Sequence, residues 1–437
     1  MIDLSSYLKN RTVKNAGYLI AGKIIQMAFG LVIGLLTARY LGPSNYGLIN
    51  YASAYTAFFA SICTLGINNV LVKEFLDHPG DEGTVIGTTM GLRAVSSILS
   101  AFVIVAISCF LDAGEPTTLL IVALSSIGMV FQIVETFNYW FQSRLESKVT
   151  AMATLGAYLV SAAFKVYLLA TGKPVACFAL VTSLDYLCLG VLLFIQYKRH
   201  GGGALHFSWQ YGKQLFGKSR HFILSGMMIA IYGQTDKLML KQMISETETG
   251  YYATAVALCG MWCFILSAII DSLYPSIMEA AKACDEQVFK KRNVQLYAIV
   301  FYLSAAVSLF LTVFARPVIS ILYGASYLPA VAPLRVITWY TAFSYLGVAR
   351  NAWVVAKDRQ KYLFAIYAAS AAVNVVLNYL LIPALGALGA AIASLAAQVS
   401  TTLIVPFFIQ GMRENALLML DAILLKDVLW KQHRTEE

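Results

Sequence analysis

Four basic residues, Lys23, Arg93, Lys165 and Arg350, lie inside stretches that otherwise read as membrane-spanning helices. A Lys or Arg at the centre of such a helix costs roughly 2.5–3.5 kcal/mol on insertion scales, so each calls for a partner or a watery cavity. Together they have the chemistry of a pathway for an anion, because Arg grips oxyanions bidentately and Lys acts as a point charge. Four acids, Glu135, Asp185, Asp236 and Asp271, lie in comparably apolar stretches. A carboxylate in a low-dielectric cleft can carry a coupling proton or cation, which makes these four the coupling-ion candidates. Simpler readings stand beside these. Lys165 and Asp185 are placed to form a structural pair on neighbouring helices, and Asp271, shortly before Tyr274-Pro275, is near enough to a helix end to face water. Asp236 is followed by Lys237, so on a helix the two point roughly 100° apart and do not share one partner. Nothing here has the spacing of a catalytic or metal site. Seven cysteines are scattered without a CxxC or His/Cys pattern and read as small packing residues, and the five histidines fall mostly in connections. No cofactor is implied.

Composition and periodicity define the elements that must position these groups. Of 437 residues, 59% are hydrophobic and only 13% charged, with a mean hydropathy of +0.69. A soluble domain carries about 25% charged residues, so the chain reads as an all-α integral membrane protein. Twelve apolar runs set the spans at 15–40, 46–72, 84–111, 117–142, 150–170, 174–196, 217–240, 250–275, 294–314, 331–356, 360–382 and 386–410. A β-barrel is excluded by the lack of period-2 alternation. The net charge of +9 does not indicate nucleic acid, because the basic residues fall in short runs between apolar segments. Gly17–Ile24 matches GxxxxGK but has Ile24 where Ser or Thr would hold magnesium, and no strand precedes it, so a nucleotide site is rejected. The polar N-terminal stretch shows no cleavage pattern, so the first span is expected to stay in the protein.

Orientation follows from Lys and Arg in the connections. With the N-terminus cytoplasmic, 22 of the 32 fall on the inner side and 6 on the outer, the other 4 being the intramembrane residues. Both termini are therefore expected in the cytoplasm. The connection 197–216, containing Gly201-Gly202-Gly203, divides the spans six and six, giving domains 1–200 and 201–437, the second with a cytoplasmic tail. Two halves that each begin inside are parallel repeats around a central cleft, an architecture suited to alternating access. Phe137, Tyr139, Trp140 and Phe141 fall at the inner boundary of span four and read as an interfacial belt. Gly30-xxx-Gly34 and the group Gly386, Gly389, Ala390 and Ala391 read as close helix packing.

Several segments resemble one family. Tyr139-Trp140-Phe141-Gln142-Ser143-Arg144-Leu145-Glu146 is similar to the YWFxQGxE signature of bacterial polysaccharide repeat-unit flippases, with Ser143 in place of the usual Gly. Arg39–Gly47 resembles that family's first outer turn, and Asn374–Pro383 with Gly386 and Gly389-Ala390-Ala391 resembles its final hairpin. Thr235-Asp236-Lys237 and Leu322-Tyr323-Gly324-x-x-Tyr327 also fit. The resemblance implies the MATE-like fold of the multidrug/oligosaccharidyl-lipid/polysaccharide exporter superfamily. It further implies a flippase in the cell inner membrane that moves undecaprenyl-diphosphate-linked oligosaccharide outward, antiporter fashion, for O-antigen lipopolysaccharide or capsule. The partners implied are that glycan, membrane lipids, a polysaccharide polymerase and a chain-length regulator, with no nucleic acid. Under this reading Lys23 and Arg93, roughly 12–14 Å in from the cytoplasmic boundary, capture the diphosphate. Arg350 and Lys165 line the cleft, and the aromatics of span four stack on sugar in the alternative to a belt. Outward movement of two negative charges gains roughly 4–5 kcal/mol per 100 mV of inside-negative potential. A cation-coupled multidrug exporter and a lipid II flippase are the rivals within the superfamily. A membrane enzyme is disfavoured, since no long outer loop or His/Asp pair is visible.

Overall fold

The structure, a computed structural model, describes residues 11–426, the side chains of 11–25 and of residue 28 excepted. Lys23 therefore lies outside the described side chains. No strand occurs among the described residues. In chain order the helices are α1 (Arg11–Cys63), α2 (Asn68–Asp77), α3 (Glu82–Leu111), α4 (Pro116–Phe131), α5 (Thr136–Ser143) and α6 (Ser147–Ala170). Then come α7 (Val175–Ala179), α8 (Val181–Arg199), α9 (Trp209–Met243), α10 (Glu246–Gly260), α11 (Cys263–Lys282) and α12 (Glu286–Val313). The remainder are α13 (Ala315–Leu322), α14 (Val331–Ala356), α15 (Leu363–Leu385), α16 (Ala387–Val399), α17 (Val405–Phe408) and α18 (Arg413–Ile423).

Nine helical stretches among the described residues are long and apolar enough to cross a membrane, and Phe29–Asp77 takes in the end of the first expected span and all of the second. The seventh and tenth expected spans fall on α9 and α14, helices of spanning length whose polar residues, Arg335 and Arg350 among them, keep them outside that set. The described helices are consistent with the twelve expected spans, in an all-α integral membrane fold.

The chain forms two compact units: Leu48–Ala230 with the preceding chain up to Leu41, and Ile231–Glu437 with Gly42–Gly47. The sequence puts the division at 200/201, whereas these units change over at 230/231, inside α9. Unit 1 packs around Ile67, Leu71, Phe137, Trp140, Phe141 and Tyr197. Unit 2 packs around Ile277, Tyr297, Leu346, Trp353, Ile366 and Met419.

Local sequence sets several helix ends. Ser245 accepts from the Glu248 N–H at 3.3 Å, and Glu246 and Glu248 place negative charge at the positive end of α10. Gly386 separates α15 from α16 at φ +54°, ψ −131°, a conformation closed to residues with a Cβ. The Glu248 carboxylate fills the space beside it and accepts from the Ala387 N–H at 2.7 Å.

Two packing expectations change. The aromatics of span four are not a belt: Phe137, Trp140 and Phe141 are buried. The Trp140 indole N–H donates to Glu82 at 2.9 Å, and the Arg144 guanidinium sits 4.0 Å over the Trp140 ring while pairing with Glu82 at 2.6 Å. A carboxylate within reach satisfies the indole, so the ring can go inside rather than to the interface. Gly34 has open space around it, and Gly30 meets only the Tyr158 hydroxyl. The closest approaches occur elsewhere. A Cβ at Gly47 would fall 1.8 Å from the Glu246 carbonyl oxygen, and one at Gly250 would fall 2.0 Å from that of Pro43, both within unit 2. In unit 1, Gly83, Gly87 and Gly91 recur every fourth residue along α3 and receive Ala204, His206 and Phe207. The Ser208 N–H donates to Thr88 Oγ1 at 3.0 Å, fixing this connection against the helix.

Candidate functional site

In unit 2, Asp236 is 3% exposed and takes hydrogen bonds from three other helices. Asn374 and Asn378 stand one turn apart on α15, so their amides share a face; they donate to Asp236 Oδ1 at 3.0 and 2.5 Å. Tyr252 on α10 donates to Oδ2 at 2.5 Å, and Ser394 on α16 donates to the same oxygen. All four donors are uncharged, and no ion pair involves Asp236 among the described residues. Asn378 Oδ1 is buried beside the carboxylate without a hydrogen-bond partner. A buried carboxylate held only by uncharged donors in this way suits the binding of a proton or a hard cation. A cavity of about 150 Å³ opens beside Asp236, bordered by Tyr232, Tyr252, Tyr340, Ser344 and Ser394.

Arg350, on α14, is fully buried in the same unit. Its Nη1 donates to the Thr401 carbonyl at 2.9 Å, while Nε and Nη2 have no hydrogen-bond partner. The Thr401 carbonyl belongs to a π turn, Ser400–Ile404, that interrupts the last span; such turns shift carbonyls out of the α-helical ladder. The phenols of Tyr297, Tyr367 and Tyr232 stand around the guanidinium, and no carboxylate pairs with it among the described residues. A buried cation balanced only by neutral oxygens has net attraction left for an anion.

In unit 1, Arg93 on α3 is equally buried but saturated. Its Nη1 donates to Asn68 and Thr136, both at 3.3 Å, and Nη2 donates to the Gln132 carbonyl at 3.2 Å and lies 3.8 Å from Glu135. Gln132 and Glu135 bound a 3₁₀ turn between α4 and α5, which turns carbonyl and carboxylate towards the guanidinium. Asp185 on α8 accepts from Ser161 at 2.9 Å and feels the charge of Lys165 on α6, although the two do not form a direct ion pair. Asp271 is exposed, but it lies in the middle of α11 (Cys263–Lys282), which continues through Tyr274-Pro275, and not near a helix end as expected. The structure therefore joins Arg93 with Glu135 and sets Arg350 and Asp236 in one unit, each with its own partners.

Sequence reasoning missed the donors around Asp236. The available signal was Asn374-xxx-Asn378, two amides at helical spacing within an otherwise apolar span. It also missed Glu74 on α2, which is 1% exposed and accepts from Lys218 at 2.6 Å and Tyr211 at 2.8 Å.

Buried charges held inside bundles of membrane-length helices mark functional positions of an integral membrane protein. The fold is shared with a multidrug resistance MATE family transporter of the MOP superfamily in an inward-facing conformation: TM-score 0.67, 13% identity, covering 90% of this chain and 95% of that one. It is shared with the lipid II flippase MurJ in an inward closed conformation: TM-score 0.70, 15% identity, 94% of this chain and 92% of that one. A MOP superfamily transporter from Pyrococcus furiosus, described by a binding pocket of reverse polarity, aligns at TM-score 0.55 and 11% identity over 94% of each chain. At such identities the likeness concerns the fold. The family described as "Polysaccharide biosynthesis protein" matches residues 12–281, more than half of the chain. The chain belongs to this family, a polysaccharide flippase family of the MOP superfamily. A search of curated proteins gives no match.

Proposed function

We propose that the protein moves undecaprenyl-diphosphate-linked oligosaccharide repeat units from the inner to the outer leaflet of the cell inner membrane by alternating access, with both termini cytoplasmic. The observation that carries this reading is Arg350, buried without a carboxylate partner and with N–H groups unspent. A diphosphate supplies the oxygens that such a guanidinium lacks. Arg350 takes the leading role in the anion path and Lys23 and Lys165 add charge along it, while Arg93, held by Glu135, Asn68 and Thr136, is left out of the diphosphate path. Asp236 is the coupling acid, because uncharged donors hold it in one geometry beside a cavity. Asp185, Glu135 and Asp271 rank behind it, since the first two sit beside cations and the third is exposed.

The test is reconstitution. Proteoliposomes containing the protein should translocate undecaprenyl-diphosphate-linked oligosaccharide, and Arg350→Gln should slow this at least roughly tenfold, the loss of one hydrogen-bonded charge contact. Movement of a cationic dye in place of the lipid would establish a multidrug exporter. Preference for lipid II over the oligosaccharide lipid would establish a lipid II flippase.

A further inference from the structure

Unit 1 contains a cavity of about 190 Å³ whose lining carries no charged side chain. Its polar groups are the hydroxyls of Ser53, Thr56, Ser125, Thr182 and Tyr186 and the amide of Gln132. Polar side chains are expensive inside a lipid-embedded bundle, and the usual remedy is a hydrogen bond back to the helix's own carbonyls. Ser53 and Thr56 take that remedy, donating to Ile49 at 2.8 Å and Ser53 at 2.9 Å; so does Ser126, which donates to Val122 at 2.8 Å outside the cavity. The hydroxyls of half-buried Ser125 and exposed Thr182, on α4 and α8, make no hydrogen bond among the described residues, and both line the cavity. Small residues, Ala57, Ala60 and Gly128, leave room between them, and Phe178 and Tyr186 supply aromatic walls. The nearest cation, Arg93, is already engaged by Glu135, Asn68, Thr136 and the Gln132 carbonyl.

We infer that this cavity binds an uncharged sugar ring of the transported glycan, so that unit 1 reads neutral hydroxyls while the charged head is held elsewhere. The inference rests on the flippase reading above. Hydroxyl and amide groups exchange donor and acceptor roles with a polyol, and the apolar faces of a pyranose fit against aromatic rings. A diphosphate or a uronic acid finds no compensating charge there and would lose its hydration unrewarded. The glycan read at this position is therefore neutral.

The experiment uses the full-length protein in nanodiscs and two probes: bare undecaprenyl diphosphate, and undecaprenyl diphosphate bearing a neutral trisaccharide. Wild type should bind the sugar-bearing lipid more tightly. The double variant Ser125→Ala/Thr182→Val should weaken that binding roughly tenfold, as for two lost neutral hydrogen bonds, while bare lipid binds as before. Ala57→Trp, which fills the cavity, should do the same, and its retained affinity for bare lipid certifies its fold. Equal affinity of wild type for the two probes, or variants that weaken both alike or neither, overturns the inference while leaving the flippase reading intact. Wild type that binds neither probe overturns both.

Discussion

Asn378 donates to Asp236 Oδ1 at 2.5 Å across a sequence separation of 142 residues, while its own side-chain oxygen stays buried without a partner. The amide is thus oriented by the carboxylate at the expense of its other half. Leaving a buried acceptor unsatisfied costs about 1–3 kcal/mol, so a second function for that oxygen is the natural expectation.

If Asp236 and Asn378 present oxygens to a coupling ion, Asp236→Asn should remove the dependence of transport on an ion gradient. The variant should also lose about 1–3 kcal/mol of stability, because an amide cannot accept from all four surrounding donors. The checks are thermal unfolding in detergent, and transport after collapse of a sodium or pH gradient at fixed potential. Gradient dependence that survives in the variant removes Asp236 from coupling.

Arg350 gives a prediction in which stability and function move apart. A buried cation without a counter-charge burdens the folded state, and an apolar residue of similar volume relieves it. Arg350→Met should therefore leave the melting temperature unchanged or raise it, while transport of the diphosphate-linked glycan falls at least roughly tenfold. A structural arginine would show the reverse pattern, with a lower melting temperature and transport retained in the folded fraction.

Arg93 and Glu135 should behave as a coupled pair. Either Arg93→Gln or Glu135→Gln alone strands a buried charge, at a cost of about 3–5 kcal/mol for a fully buried pair and less here because Glu135 is one-quarter exposed. The double variant should recover much of that loss. A double-mutant cycle on unfolding free energy measures the coupling, and additive losses would show that the two act independently.

The strap formed by residues 203–208 depends on the glycines of α3. A Cβ at Gly87 would lie 2.5–2.9 Å from three backbone atoms of His206. Gly87→Ala should lift the strap and increase protease cleavage within 200–208, detectable by limited proteolysis of the purified protein. Cleavage at the wild-type rate would mean that the helix yields instead.

Much of this architecture was legible because the bilayer imposes a length. Runs of about 20 apolar residues marked the long helices, α9 and α14 included, but not short ones such as α13 and α18. Breaks within spans were less legible. The 3₁₀ turn at Gln132–Glu135 carries no Gly or Pro, while Gly260 just before the interruption at Met261-Trp262 and Pro406 just after the π turn at Ser400–Ile404 are local signals that the span reading passed over. Charge showed which residues to question but not how each was answered. Arg93 and Arg350 look alike in sequence, and only the fold supplies Glu135 to one and no acid to the other. Trp140 was misjudged for a related reason: its aromatic neighbours suit an interface equally well, and Glu82, 58 residues away, decides the matter.

The assignment of Gly42–Gly47 to unit 2 has a consequence for dissecting this protein. The chain passes between units at 41/42 and 47/48 as well as at 230/231, so no single cut separates them. A fragment beginning at Ile231 would lack the six residues that fill the groove at Gly250 and would expose the Glu246 and Gly250 backbone that Pro43 and Gly47 cover. Reassembly from separately expressed pieces should therefore succeed only when the N-terminal piece brings its own turn to complete its partner.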